Sequence, residues 1–167
     1  MQPIAVVGTK KSGKTTTIEN LTRELTKRGY KVAVIKHINE DFTIDTPGKD
    51  TWRYQQAGAK TIVATGPNQT VTIEKTSTPL AALLEKCIDN DIVFIEGFKK
   101  IVAQNLAIPK IVVTKNQSEA KNTQKIYSPI IAFSGPHHPK KTRILYADAT
   151  KNSEKLANTI EKASFKN

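Results

Sequence analysis

Cysteine is nearly absent from the chain: Cys87 stands alone among 167 residues, so no intramolecular disulfide can form and the fold must be held by its core. Its place in an apolar helical stripe suits a packed thiol better than a reactive one. Aromatic residues make up 6% of the sequence, too few for the ring-rich strands on which unpaired bases stack. No apolar stretch approaches the ~20 residues that a membrane-spanning helix requires, and no basic leader with a long hydrophobic segment precedes the first apolar run. A cytoplasmic protein without membrane contact is expected. Acidic residues are also scarce, 15 against 26 Lys plus Arg, leaving a formal charge of +11. That excess favours polyanions at low salt, yet the basic residues are scattered and no zinc-ligand spacing accompanies them. The charge therefore fits phosphorylated small molecules or an acidic partner protein better than nucleic acid.

What the chain does contain is a repeated alternation. Ile4-Ala5-Val6-Val7, Val32-Ala33-Val34-Ile35, Ile92-Val93-Phe94-Ile95, Ile111-Val112-Val113 and Ile130-Ile131-Ala132-Phe133 are unbroken apolar runs. Runs without alternation predict strands covered on both faces, as in parallel sheets. Between them lie helical stripes: Ile18, Leu21 and Leu25, ending near Gly29; Leu80, Leu83, Leu84, Cys87 and Ile88, opened by Thr78 and Pro79; and Leu156, Ile160 and Ala163, starting around Asn152. This order predicts an α/β fold with a mostly parallel, doubly wound sheet, helices on both faces, and ligands at the carboxyl ends of the strands. Residues 1–167 are expected to form a single domain. Two runs flanking Gly66-Pro67-Asn68-Gln69 predict a β-hairpin over about 60–75, expected to extend the sheet as an antiparallel arm. The polar stretch from Lys115 to Ser128 is expected to be a loop.

Chemistry concentrates after the first strand. Gly8-Thr9-Lys10-Lys11-Ser12-Gly13-Lys14-Thr15 spells G-x-x-x-x-G-K-[ST] between a predicted strand and a predicted helix, the context in which main-chain N–H groups cradle phosphates. The helix contributes its positive N-terminus. Lys14 is expected to span the β- and γ-phosphates, the Thr15 hydroxyl to ligate Mg²⁺, and Thr16 to reach the α-phosphate. Glu96 ends the apolar strand Ile92-Val93-Phe94-Ile95, where such sites carry an acid for the metal. Between the second strand and the hairpin, Asp45 is the preferred metal-side residue, and Lys49 and Arg53 are candidate contacts for a second anion.

Taken together, the glycine loop, Lys36-His37-Ile38, Asp45-Thr46-Pro47-Gly48-Lys49-Asp50-Thr51, Ala57-Gly58-Ala59 and Glu96-Gly97-Phe98-Lys99 resemble the molybdopterin-guanine dinucleotide biosynthesis protein B family. The likeness runs from the first strand to at least Val113. It implies a P-loop NTPase-like, homodimeric, GTP-binding protein with weak GTPase activity. Such a protein assists the guanylyltransferase that attaches GMP to molybdopterin in molybdenum cofactor biosynthesis. On that likeness Lys14, Asp45 and Glu96 carry the chemistry, Thr15, Asp45 and Glu96 surround Mg²⁺, and Lys49, Arg53 and Lys99 face the pterin-side phosphate or the partner. Two positions depart from the family. Asn39 and Glu40 stand where histidines are common, and Thr114-Lys115-Asn116-Gln117 lacks the Asp of the guanine-reading [NT]-K-x-D pattern.

Three other readings compete with this one, the first from the same cradle, the second from a histidine pair and the third from the net charge. An ATP-dependent small-molecule kinase or ligase would turn over rapidly with its acceptor, and a metal-insertion GTPase would use His137-His138 as ligands. A nucleic-acid-associated ATPase would bind with steep salt dependence.

Overall fold

The five apolar runs become five strands of one parallel sheet; those beginning at Ile4, Ile92 and Ile111 are buried throughout, whereas Val34 is 49% exposed, so the expected cover on both faces fails for the Val32–Ile35 run at the edge of the sheet. The structure is a computed structural model that describes residues 1–140 and 142–164. Its elements are β1 (Gln2–Gly8), α1 (Lys14–Lys27), β2 (Val32–Lys36), α2 (Asp50–Gln56), β3 (Thr61–Thr65), β4 (Thr70–Glu74), α3 (Leu80–Glu85), β5 (Ile92–Glu96), α4 (Lys99–Val102), β6 (Lys110–Val113), α5 (Gln117–Ile126), β7 (Ile130–Ser134), β8 (Leu145–Tyr146) and α6 (Ser153–Ser164). The chain divides into two compact units, residues 38–79 and the remainder.

The larger unit holds a six-stranded sheet in the order β2-β5-β1-β6-β7-β8, every pairing parallel. Side chains leave alternate faces of each strand. Ile4, Val6, Phe94, Ile111 and Val113 pack on one face with Ile18, Leu21 and Leu25 of α1 and Leu156, Ala157 and Ile160 of α6. Ala5, Val7, Val93, Ile95, Val112 and Phe133 pack on the other with Leu80, Val102 and Tyr127. Arg28 ties α1 to α6 through Glu24 at 2.8 Å and Glu161 at 2.9 Å. Gly29, at φ 92, turns the chain out of α1 in the left-handed conformation that glycine tolerates best.

Three sequence expectations are corrected in this fold. The hairpin forms at β3 and β4, but as a two-stranded sheet of its own rather than an arm of the large one. Alternation explains this: Ile62, Ala64, Val71 and Ile73 share one face while Val63 and Thr72 take the other and are exposed, and a one-sided strand suits an antiparallel pair better than a sheet interior. The stretch from Lys115 to Ser128 is not a loop but carries α5. Asn116 caps it by accepting the Glu119 N–H at 2.9 Å, and its buried positions are the small or polar Ala120 and Thr123, which a search for large apolar residues passes over. The α3 stripe ends earlier than its spacing suggested. The helix stops at Glu85, Cys87 stays half-buried, and Ile88 is exposed.

Candidate functional site

Parallel pairing places the carboxyl ends of neighbouring strands side by side. Glu96 of β5 is level with Lys36 of β2 and Val6 of β1, and Gly8 is level with Val113 of β6. The glycine loop leaves this edge from the middle of the sheet. A Cβ on Gly8 would lie 2.4 Å from the Val113 carbonyl oxygen and 2.7 Å from Ser12 Oγ, so the first glycine is demanded by strand contact. Lys11 at φ 59 and Gly13 at φ 98 are both left-handed, conformations from which main-chain anion nests are built. Gly13 then caps α1 with no side-chain bond, leaving the helix's first N–H groups to a ligand. Ser12 Oγ is buried and has no hydrogen-bond partner among the described residues.

Charge is arranged around that concavity. Lys14 Nζ donates to the Thr9 carbonyl at 2.8 Å. Burial pushes its ammonium below the ordinary 10.5, and Lys99, Lys36 and Lys115 push the same way against Glu96. A cluster of cations held this close favours an anion among them. Thr15 Oγ1 donates to Glu96 Oε2 at 3.3 Å, and Lys36 Nζ lies 3.7 Å from the same oxygen. The structure thus brings Lys14, Thr15, Glu96 and Lys36 together, with Lys99 exposed at the start of α4, Lys10 and Lys11 exposed on the loop, and Thr16 exposed in the first turn of α1. Gly97 is another close approach: a Cβ there would meet His37 Cβ at 2.7 Å. His37 instead packs its ring 4.5 Å from that of Phe98.

A brace from α5 holds the loop, and sequence reasoning missed its central residue. Glu119 Oε1 accepts from Thr9 Oγ1 at 3.0 Å and Oε2 from the Lys115 N–H at 2.9 Å. Lys115 Nζ reaches the Lys10 carbonyl at 3.3 Å. Burial alone would raise the Glu119 carboxyl. The Lys115 N–H, the Thr9 hydroxyl and the Lys115 ammonium outweigh it and hold the group below 4.5. The available signal was N-x-x-E at Asn116 and Glu119, a helix-start signature.

Other candidates have different surroundings. Asp45, Lys49 and Arg53 belong to the smaller unit. Asp45 Oδ1 accepts from Thr51 Oγ1 and the Thr46 N–H, both at 2.9 Å, and Arg53 lies 3.7 Å from Asp50. Gln117, at the position of the missing guanine-reading Asp, accepts the Lys140 N–H at 2.9 Å and lies 3.3 Å from His137 Nε2. His138 stacks on Tyr146 at 4.4 Å. Both histidines thus have protein partners. Among the described residues no group of three His, Cys, Asp or Glu is arranged to hold a metal, so the metal-insertion alternative gains no support.

Comparison with known proteins adds a family. Residues 3–135 match the family model described as molybdopterin guanine dinucleotide synthesis protein B. The chain is 32% identical over 119 residues to a Haemophilus influenzae protein named molybdopterin-guanine dinucleotide biosynthesis adapter protein, covering 68% of this chain and 64% of that one. It is 40% identical over 118 residues to a Methanocaldococcus jannaschii protein provisionally given the same description, covering 70% of this chain. The match spans about half (49%) of that relative's length. The crystal structure of Bacillus subtilis MobB superimposes with a TM-score of 0.72 at 25% identity, covering 95% of this chain and 98% of that one. The doubly wound architecture is therefore shared with solved structures. No helix among the described residues is long and apolar enough to cross a membrane.

Proposed function

Because the chain belongs to the molybdopterin guanine dinucleotide synthesis protein B family, we propose that it is a cytoplasmic GTP-binding adapter that assists the attachment of GMP to molybdopterin. The observation that carries this reading is the glycine loop at the carboxyl edge, with Ser12 Oγ unpartnered among the described residues and Lys14 set among cations. A triphosphate supplies what that loop lacks: acceptors for the main-chain N–H groups and negative charge for Lys14. Lys10, Lys11 and Thr9 line the loop, Thr16 reaches the α-phosphate, and Lys99 offers a further positive contact.

Thr15 and Glu96 are hard oxygen donors already adjacent at 3.3 Å, a set that suits Mg²⁺. They would hold the ion, whose charge offsets that of the phosphates. Asp45 is assigned to the metal side as well. That assignment rests on the family likeness alone, since Asp45 belongs to the smaller unit. Lys49 and Arg53 are assigned to the pterin-side phosphate or to the partner enzyme, on the D-x-P-G-K-D pattern alone. Hydrolysis of GTP is weak on this reading, and the protein acts chiefly by holding nucleotide for the guanylyltransferase. A homodimer follows from the family likeness, and the smaller unit exposes Phe42, Ile44, Tyr54, Val63 and Val71, side chains that a second copy would cover.

Competitive binding of GTP and ATP with Mg²⁺, repeated with Lys14→Ala, tests the reading. GTP is expected to bind more tightly. The substitution should weaken both nucleotides by roughly 10- to 150-fold, the range for a lost charge-assisted hydrogen bond. Equal affinity with rapid ATP turnover would favour the kinase alternative.

A further inference from the structure

The phosphate loop has a second concavity beside it. A cavity of about 320 Å³ is walled on one side by Lys11 and Thr16 and on the other by Gly135, Pro136, Asp148 and Thr150. Its size is within the range of small-molecule sites, about 300–1,000 Å³. It shares Ser12 and Gly13 with the cradle, so a nucleotide whose phosphates occupy the loop has its ribose and base for this space.

The far wall is built to hold a carboxylate still. Asp148 Oδ1 accepts from the Thr150 N–H at 2.9 Å and from Thr150 Oγ1 at 2.8 Å. The Asp148 carbonyl accepts from the Lys151 and Asn152 N–H groups at 3.0 and 2.7 Å. This turn is fastened to β7, since the Ala149 N–H donates to Ser134 Oγ at 3.2 Å. Tyr146 Oη donates to the Gly135 carbonyl at 2.8 Å, fixing the opposite strand end. Both bonds to the Asp148 side chain go to Oδ1, and no bond among the described residues engages Oδ2. Gln117, meanwhile, is held by residues 137–140.

An ionised carboxylate only accepts hydrogen bonds. Guanine presents two adjacent donors, N1–H and the 2-amino group, whereas adenine has an acceptor at N1 and no 2-amino group. We infer that Asp148 is the base-reading residue of this protein and selects guanine nucleotides, in place of the acid that the Thr114-Lys115-Asn116-Gln117 stretch lacks. The inference rests on the nucleotide-binding reading above.

The test titrates the full chain with the triphosphates of guanosine, inosine, adenosine and xanthosine in the presence of Mg²⁺, and repeats the series with Asp148→Asn. Inosine lacks only the 2-amino group, so the unaltered protein should bind its triphosphate roughly tenfold more weakly than GTP, and ATP roughly 10- to 100-fold more weakly. With Asp148→Asn, the advantage of GTP over ATP should shrink to within about threefold. Xanthosine triphosphate, which carries an acceptor at position 2, should gain affinity from the new amide donor. A folded Asp148→Asn protein that keeps the original order of preference overturns the inference. If that variant fails to fold, the unaltered protein decides: equal binding of GTP and the inosine triphosphate overturns it. An unaltered protein that binds none of the four sinks the nucleotide-binding reading as well, whereas binding without discrimination sinks only the role of Asp148.

Discussion

The two units of this chain secure their polar residues in opposite ways. Around the phosphate loop, bonds join residues far apart in sequence: Thr9 to Glu119, Thr15 to Glu96, and Lys115 to Lys10. In the smaller unit the partners are near neighbours: Asp45 with Thr46 and Thr51, Arg53 with Asp50, and Thr65 with Thr70. A group fixed by distant elements holds its position as long as the fold does, while one fixed by its own loop moves with the loop. The cradle is therefore preorganised for phosphate before any ligand arrives, which reduces the ordering cost of binding. The smaller unit fixes Asp45, Arg53 and Thr65 only through residues of its own segment, and its apolar Phe42, Ile44 and Val63 are exposed.

The sharpest break in this contrast should come from Gly8→Ala. The added Cβ would lie 2.4 Å from the Val113 carbonyl oxygen, a backbone atom that cannot step aside without disturbing the β1–β6 pairing. Stability should fall by about 3 kcal/mol or more, as with other overpacked core positions, and nucleotide binding should be lost with it. Thermal melting together with titration of GTP measures both. A variant that melts within a few degrees of the unaltered protein would mean that the loop is far less constrained than its contacts indicate.

Glu119→Gln should have a moderate effect with a pH signature. The carboxyl lies below 4.5 in the folded chain, so its contribution is fully present above that unfolded value and is lost as pH falls through the lower folded one. At neutral pH the substitution should cost about 1.5–3 kcal/mol, the range for hydrogen bonds to a charged group. The gap in melting between the two proteins should close on acidification below pH 4.5. A gap that persists there would show that the brace does not depend on the charge of Glu119.

Which parts of this arrangement were legible in the sequence follows the same division. Unbroken apolar runs announced the parallel strands, and G-x-x-x-x-G-K-T announced the cradle, because both signals are local in the chain. Glu96 was legible as the acid closing an apolar strand. The brace was not, since nothing in the sequence brings Thr9 to Glu119 until β1 and β6 pair. Helix α5 was hidden because its buried face is Ala120 and Thr123, whose burial depends on close packing rather than on apolar bulk. Asp148 gave no signal at all. It follows a two-residue strand, β8, too short for any periodicity to register.

The smallest expected effect belongs to the smaller unit. Thr51→Val removes the hydroxyl that donates to Asp45 Oδ1 at 2.9 Å but leaves the Thr46 N–H on the same oxygen. Asp45 is only half-buried, so water can replace the lost donor, and the stability cost should stay within about 1 kcal/mol. Chemical denaturation measures this, with an unchanged dependence on denaturant expected because no large surface is newly exposed. A loss of several kcal/mol would mean that the Asp45 loop is as tightly specified as the cradle. The contrast between the two units would then fail, and Asp45 would have to be treated as a fixed member of a built site rather than a residue carried on its own loop.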